Sequence, residues 1–236
     1  ERLTIQGLLF LYAYVDRGFL FSYGWLMPKK GGRGFSSFVD VQNDFFPAEA
    51  LQIKDGDSII PLINGIMERF DLVVATQDWH PKNQVSFASN NPGKNIYDQI
   101  NISGIAQTLW PDHCIQGTKG AEFHDDLDLS KFSLILRKGM NPLVDSYSAF
   151  IENDRNTETG LAGYLKALKV REIFICGLAT DYCVYYSAMD SLRYGFRCNV
   201  IIDATRGVDL PKGSIGAVVS EMKDKGISVI SSDDLL

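Results

Sequence analysis

The 236-residue sequence has no excess of positive charge, no CxxC pair and no apolar run of ~20 residues free of charged side chains. Lysine and arginine number 23 against 29 aspartates and glutamates, a net charge of −6. A protein that holds nucleic acid or an anionic membrane surface by charge needs the opposite balance, so neither is expected as a partner. The four cysteines, Cys114, Cys176, Cys183 and Cys198, form neither a disulfide framework nor a zinc-ribbon pattern, and a reducing cytoplasm is the expected location. Histidine is scarce, with three in the chain, which limits how a metal could be held. No internal repeat or low-complexity tract is present. Hydrophobic residues at 45 % and charged residues at 22 % are an ordinary globular balance. A chain of this length makes one large domain or two small ones and buries about 70 % of its unfolded surface without staples.

Residues 1–34 differ from the rest. Gly7–Met27 is largely apolar and aromatic, but Asp16 and Arg17 interrupt it in the middle, which opposes a membrane span. No basic start or small-residue cleavage site marks a signal peptide. PKKGGRG, Pro28–Gly34, is a flexible basic linker by composition. The expected organisation is a domain over 35–236, with residues 1–34 an extension lying on it or a segment foreign to it.

From Phe35 onward, short runs rich in β-branched and aromatic residues alternate with helix-period segments. Strands are expected at Phe35–Val41, Asp71–Thr76, Phe132–Arg137, Glu172–Gly177, Cys198–Asp203 and Ile227–Ile230. Helices are expected at Gly56–Arg69, Glu158–Lys169, Asp181–Tyr194 and Gly213–Lys225. Thr157 and Thr180 stand where N-caps belong, and Gly195 and Gly226 where helices end in a left-handed residue. Tyr185, Ala188, Met189 and Leu192 fall at helical spacing as a core-facing stripe. LVVAT and IFICG are apolar on both faces, as in a sheet covered on each side. The pattern predicts a three-layer α/β/α fold with a mostly parallel, about six-stranded sheet. Two polar stretches, Gln77–Leu109 and Gly139–Asn156, read as long functional loops.

In open α/β sheets the ligand crevice lies at the carboxyl ends of the strands. Reactive residues there are Asp40 in FVDVQNDF, Asp78 and His80 in ATQDWHP, Lys138 in LILRKG and Cys183 in ICGLATDYC. Cys183 would sit in the first turn of a helix, where the dipole and free N–H groups favour a thiolate and could hold an oxyanion. The alternative is a small buried hydrophobe, which is how Cys176 reads. A carboxylate such as Asp40 can take a thiol proton and return it to a leaving amine, while an ammonium such as Lys138 holds both in charged form. Taken singly, Asp40 also fits a strand-end turn and Lys138 a solvated surface. Asp78 and His80 share a face in an extended segment and can converge on one metal ion with a third ligand from elsewhere. His113 lies in the turn LWPDHC, and His124 reads as a solvated helix-end residue.

FVDVQNDF, ATQDWHPxxxxSFAS, LWPDHCIQGTKGAEFH, LRKG and CGLATDYCV, in this order, resemble the nicotinamidase (pyrazinamidase) branch of the isochorismatase-like hydrolases, from about Phe38 to the end. The resemblance implies a catalytic triad of Asp40, Lys138 and Cys183. It implies a divalent metal, zinc first and iron or manganese otherwise, on Asp78, His80 and His113. Phe45 and Trp110 would flank a pyridine ring, Tyr147 would line the same pocket, and the N–H groups of Ala179 and Cys183 would form an oxyanion hole behind a cis peptide. The implied activity is that of an amidohydrolase on a linear amide: nicotinamide goes to nicotinate and ammonia through a cysteine thioester, in NAD salvage, with pyrazinamide as a second substrate. Other readings are a different small-amide hydrolase of the superfamily, a metal-hydroxide hydrolase, or a non-catalytic sensor of the same ligand. A homo-oligomer is compatible with such a domain. Gln84 stands where many relatives carry a further histidine or acid, so three protein ligands and more water are expected on the ion. The first strand, GRGFSSF, is more polar than the usual aliphatic run.

Overall fold

A computed structural model describes residues 35–235, so the expectations for residues 1–34 lie outside the described residues. Among the described residues there are eight strands: β1 Phe35–Val39, β2 Leu72–Asp78, β3 Gln99–Ile102, β4 Ile105–Thr108, β5 Leu134–Lys138, β6 Glu172–Leu178, β7 Arg197–Arg206 and β8 Ser228–Ile230. Six of them form one sheet in the order β5-β2-β1-β6-β7-β8, with every neighbouring pair parallel. β1 takes its place despite its polar sequence, pairing Phe35 with Leu72 on one side and Ile173 on the other. From β1 the chain moves outward to β2 and β5, then returns past β1 to build β6, β7 and β8. The carboxyl ends of β1 and β6 therefore flank the point where strand order reverses, which is where a crevice opens in such sheets.

Among the described residues, four α-helices join the strands: α1 Ile60–Met67, α2 Leu161–Ala167, α3 Tyr185–Arg193 and α4 Ser214–Asp224. Among the described residues no helix is long and apolar enough to cross a membrane. β2 and β6 are buried along most of their length, as continuous apolar runs between helices should be. α1 contributes Ile60, Ile63, Ile66 and Met67 to the same core.

Several local expectations give way to specific competitors. The helix expected from Gly56 begins as a 3-10 turn, Gly56–Ile59, and becomes α-helical only at Ile60. Pro61 has no N–H to give Asp57 O, which instead accepts from Ile60 N in the 3-10 manner. Thr157 caps nothing: its hydroxyl donates to Asp154 Oδ2 at 2.6 Å, Glu158 is held in a bridge to Ile151, and Gly160, at φ 92°, precedes α2. Thr180 lies inside a single π-turn, Thr180–Val184, and donates to Thr205 Oγ1 at 2.9 Å. Gly195 and Gly226 do end helices in the left-handed region, at φ 85° and 86°.

On α3 only Ala188 of the apolar stripe is fully buried; Ser187, Asp190 and Ser191 are the others. Ser187 Oγ accepts from Ala149 N at 2.8 Å and Asp190 takes both guanidinium nitrogens of Arg155, so this face anchors the loop after β5. The stretch Gln77–Leu109 is not all loop either. It contains the β3–β4 hairpin, closed by Ser103 and Gly104, both at positive φ, as a two-residue hairpin turn requires.

β1 and β6 approach so closely that Gly177 has no room for a side chain. A Cβ there would lie 2.8 Å from Val39 N and nearer still to Val39 O, at φ 115°. Gly177→Ala should therefore lower stability by about 3 kcal/mol or more, or prevent folding, read as melting temperature by circular dichroism. Gly163, inside α2 with open space around it, is the control: Gly163→Ala should stabilise by about 0.5–1 kcal/mol.

Candidate active site

Asp40 follows β1 directly, at φ 46°, and is wholly buried. Thr76 Oγ1 donates to its Oδ1 at 2.7 Å, while its Oδ2 lies 2.9 Å from Lys138 Nζ. Lys138 closes β5 and sends its side chain inward beneath the end of β2; it is 1 % exposed. Besides Asp40, its ammonium meets Asp78 Oδ1 at 2.5 Å, Ser146 O at 2.9 Å and Cys183 Sγ at 3.5 Å. Three N–H bonds thus serve four acceptors drawn from four chain segments. Cys183 sits in the π-turn after β6, and its sulfur lies within 4.8 Å of a carboxylate oxygen of Asp40.

Burial, not the start of a helix, governs the sulfur. It pushes the Cys183 thiol well above its ordinary pKa, Lys138 opposes this, and Asp40 and Asp78 add to it. The expected resting thiolate is therefore corrected to a neutral thiol that needs a proton acceptor. Asp40 is suited to that task, because burial and the charge of Asp78 raise its carboxyl to about 6 against the pull of Lys138. Asp78 behaves oppositely. Burial raises it, but Lys138, His80 and His113 prevail and hold it well below the usual carboxylate range. The two imidazoles beside Asp78, together with its shorter contact to Lys138, set the asymmetry. On Lys138, burial disfavours the charge, but Asp40 and Asp78 outweigh it and keep the ammonium protonated.

The carboxylate of Asp78 and ring nitrogens of His80 and His113 lie within 4.8 Å of one another, all buried. His80 Nδ1 is 3.0 Å from Gly139 O, and His113 Nδ1 is 2.8 Å from Pro111 O. A carbonyl only accepts, so each Nδ1 carries a proton, which leaves Nε2 as the nitrogen that can turn a lone pair to a metal once it is deprotonated. Charge agrees. Buried Asp40, Asp78 and Asp145 against buried Lys138 leave two negative charges in excess, which one divalent cation would balance. The residues present fit such an ion. His124 lies apart, half-buried against Phe46 and in no helix, accepting from Asp126 N at 3.1 Å; it is not the solvated helix end expected.

Beside the two clusters lies a pocket walled by Phe45, Trp110, Tyr147, Tyr182, Leu51 and Ile53, with Ala179, Cys183, His80 and His113 opening onto it. The Leu178–Ala179 peptide is cis.

Residues 38–234 match the isochorismatase domain family. A nicotinamidase of Acinetobacter baylyi is 48 % identical over 198 residues, covering 84 % of this chain and 92 % of its own. The chain belongs to the isochorismatase family, in its nicotinamidase branch. Among solved structures, the nicotinamidase–pyrazinamidase of Acinetobacter baumanii is 47 % identical with a TM-score of 0.85, over 88 % of this chain and all of its own (100 %). The pyrazinamidase of Pyrococcus horikoshii, in complex with zinc, is 34 % identical with a TM-score of 0.69, over 84 % of this chain and 99 % of its own.

Within this isochorismatase-family site, Gln84 is turned away from the Asp78–His80–His113 cluster. Its Oε1 accepts from Val85 N at 2.9 Å and its Nε2 sits behind His80, 3.3 Å from Gly139 O. Tyr182, Asp145, Leu51, Ile53 and Val208 also line the pocket and were not among the residues expected from sequence. Tyr182 was findable, as the residue before the nucleophile candidate; its ring meets Trp110 edge-on at 4.7 Å. Asp145, two before Tyr147 in DSYSAF, carried no signal of its own.

Gly139 fixes His80 from behind. A Cβ there would stand 2.7 Å from His80 Nδ1, at φ 66°. Gly139→Ala should displace the imidazole and weaken retention of a divalent cation by about 10–100-fold, measured by competition with a chelator.

Proposed function

We propose that this chain hydrolyses nicotinamide to nicotinate and ammonia, with pyrazinamide as a second substrate, through a thioester on Cys183. The observation that carries this reading is the convergence of a thiol, a carboxylate and an ammonium from three strand ends beside the pocket onto which the thiol opens, in a chain 48 % identical to a nicotinamidase. The pyridine ring lies between Phe45 and Trp110, against Tyr147, which sets the carboxamide carbon beside the sulfur. Asp40 accepts the thiol proton as Sγ bonds to that carbon, and the N–H groups of Ala179 and Cys183 receive the oxyanion. The C–N bond breaks as Asp40 returns the proton to the nitrogen, so ammonia leaves and the thioester remains. Asp40 next takes a proton from water, whose oxygen attacks the thioester. The C–S bond breaks, the sulfur takes back the proton held by Asp40, and the acid departs, losing its own proton to solvent to become nicotinate. Lys138 keeps Asp40 ionised between these transfers.

Asp78, His80 and His113 are the proposed ligands of a divalent cation, zinc first and iron or manganese otherwise. Such an ion supplies a Lewis acid for the ring nitrogen and so orients the amide. We further infer that residues 35–236 are the working hydrolase domain, that it acts in the cytoplasm in NAD salvage, and that its helices cover the sheet in three layers. Connections leaving β1 run one way across the sheet and those leaving β5, β6 and β7 run the other. Right-handed crossovers then put α1 on one face and α2, α3 and α4 on the opposite one.

The purified chain should release ammonia from nicotinamide, and Cys183→Ala should lower kcat by at least about a thousandfold while the circular dichroism spectrum is kept. A rate left intact by that substitution would end the thiol mechanism. Because Asp40 must be ionised to receive the thiol proton, kcat/KM should fall as pH drops through about 6. A cation on Asp78 moves this limb to lower pH, never higher, so a limb above pH 7 would contradict Asp40 as the base.

A further inference from the structure

Asp145 is a carboxylate with no part in the steps above. It is 3 % exposed, lines the pocket, and is not one of the clustered ligands. Both oxygens are engaged from outside the pocket: Oδ1 accepts from Ser146 N at 2.7 Å and Oδ2 from Gln107 Nε2 at 3.2 Å. Gln107 is itself fixed. Its Nε2 also reaches Thr108 O at 2.7 Å and Tyr147 OH at 2.9 Å, while its Oε1 accepts from Asn153 Nδ2 at 3.2 Å. Asn153 N in turn donates to Asp145 O at 2.8 Å. These bonds hold a negative charge in the pocket wall, and its field is felt at His80, His113 and Tyr147. Asp145 belongs to neither the Asp78–His80–His113 group nor the Asp40–Asp78–Cys183 group, yet it must act on any charge that forms in the pocket.

We propose that Asp145 is a specificity residue that discriminates between the neutral amide and the carboxylate it becomes. The inference rests on the proposed reaction, in which the ligand gains one negative charge on hydrolysis. A fixed carboxylate in a dry wall leaves binding of the uncharged amide nearly untouched by charge and opposes the anion. Product then leaves, and carboxylic acids of the same ring compete poorly for the site. Gln107 is the positioning residue that keeps the carboxylate turned to the pocket.

The experiment compares wild type with Asp145→Asn, which keeps the shape and removes the charge, and with Asp145→Ser should the first fail to fold. KM for nicotinamide and the inhibition constant of nicotinate are measured together, with metal content and melting temperature. Removing the charge should raise the ratio of KM to inhibition constant by about tenfold, as expected for one unit charge at short range in a buried site. A ratio that stays constant or falls, with both constants weakening in parallel, would show a purely structural residue and overturn the proposal. So would a loss of metal content that accounts for the whole change. Calorimetry with nicotinamide and nicotinate on Cys183→Ala reads the same discrimination without turnover. A wild type that releases no ammonia therefore defeats the proposed reaction, whereas an unchanged affinity ratio defeats the role of Asp145.

Discussion

The buried ammonium of Lys138 is the contact on which the rest of the site depends. Taking a lysine charge out of water costs several kcal/mol, which only close carboxylates and further acceptors can offset. Asp40, Asp78, Ser146 O and Cys183 Sγ supply them, and each comes from a different segment: the ends of β1 and β2, the loop after β5, and the turn after β6. One side chain thereby ties the proton acceptor, the nucleophile and the cation cluster together. Loss of the ammonium would leave Asp40 and Asp78 as buried like charges with nothing to offset them, so site geometry and fold stability are not separable here.

The sheet makes that convergence possible. Strand order reverses between β1 and β6, and the two strands pack at backbone distance because Gly177 faces Val39. Asp40 and Cys183 are brought together by this close approach rather than by any sequence proximity. The pocket's far wall has another origin. The β3–β4 hairpin presents Gln107, and the loop after β5 presents Asp145 and Tyr147, stitched to it through hydrogen bonds and anchored on α3 by Ser187 and Asp190.

Much of this was legible in the sequence, for a physical reason. A parallel sheet announces itself through strands apolar on both faces, and its crevice side follows from chain direction. Asp40, Asp78, Lys138 and Cys183 could therefore be assigned to one edge before any coordinates. Phe45, Trp110 and Tyr147 came only from the family resemblance, since an aromatic in a loop has no period to declare its direction. Thr157 and Thr180 misled because a hydroxyl takes the best acceptor in reach, and Asp154 and Thr205 were nearer than a helix start. The hairpin went unseen because QINISGIAQT is short and half-exposed, with a Ser-Gly turn as its only marker. The protonation of Cys183 was misjudged because a helix start is local and readable, whereas burial is a property of everything packed around it.

Asp78 joins the two halves of the chemistry. It is the ion-pair partner closest to Lys138 and a member of the His80–His113 cluster. Its negative charge is one reason Asp40 holds its proton more tightly than a free carboxylate does. Positive charge gathered on the far side of Asp78 weakens that repulsion and lets Asp40 ionise at lower pH. Occupancy of the cation cluster and basicity of the proton acceptor are thus coupled through a single carboxylate, although no ligand atom of the cluster belongs to Asp40. A cation held there would leave Asp40 ionised over a wider pH range while making it a weaker base, so the two effects are tied through one side chain.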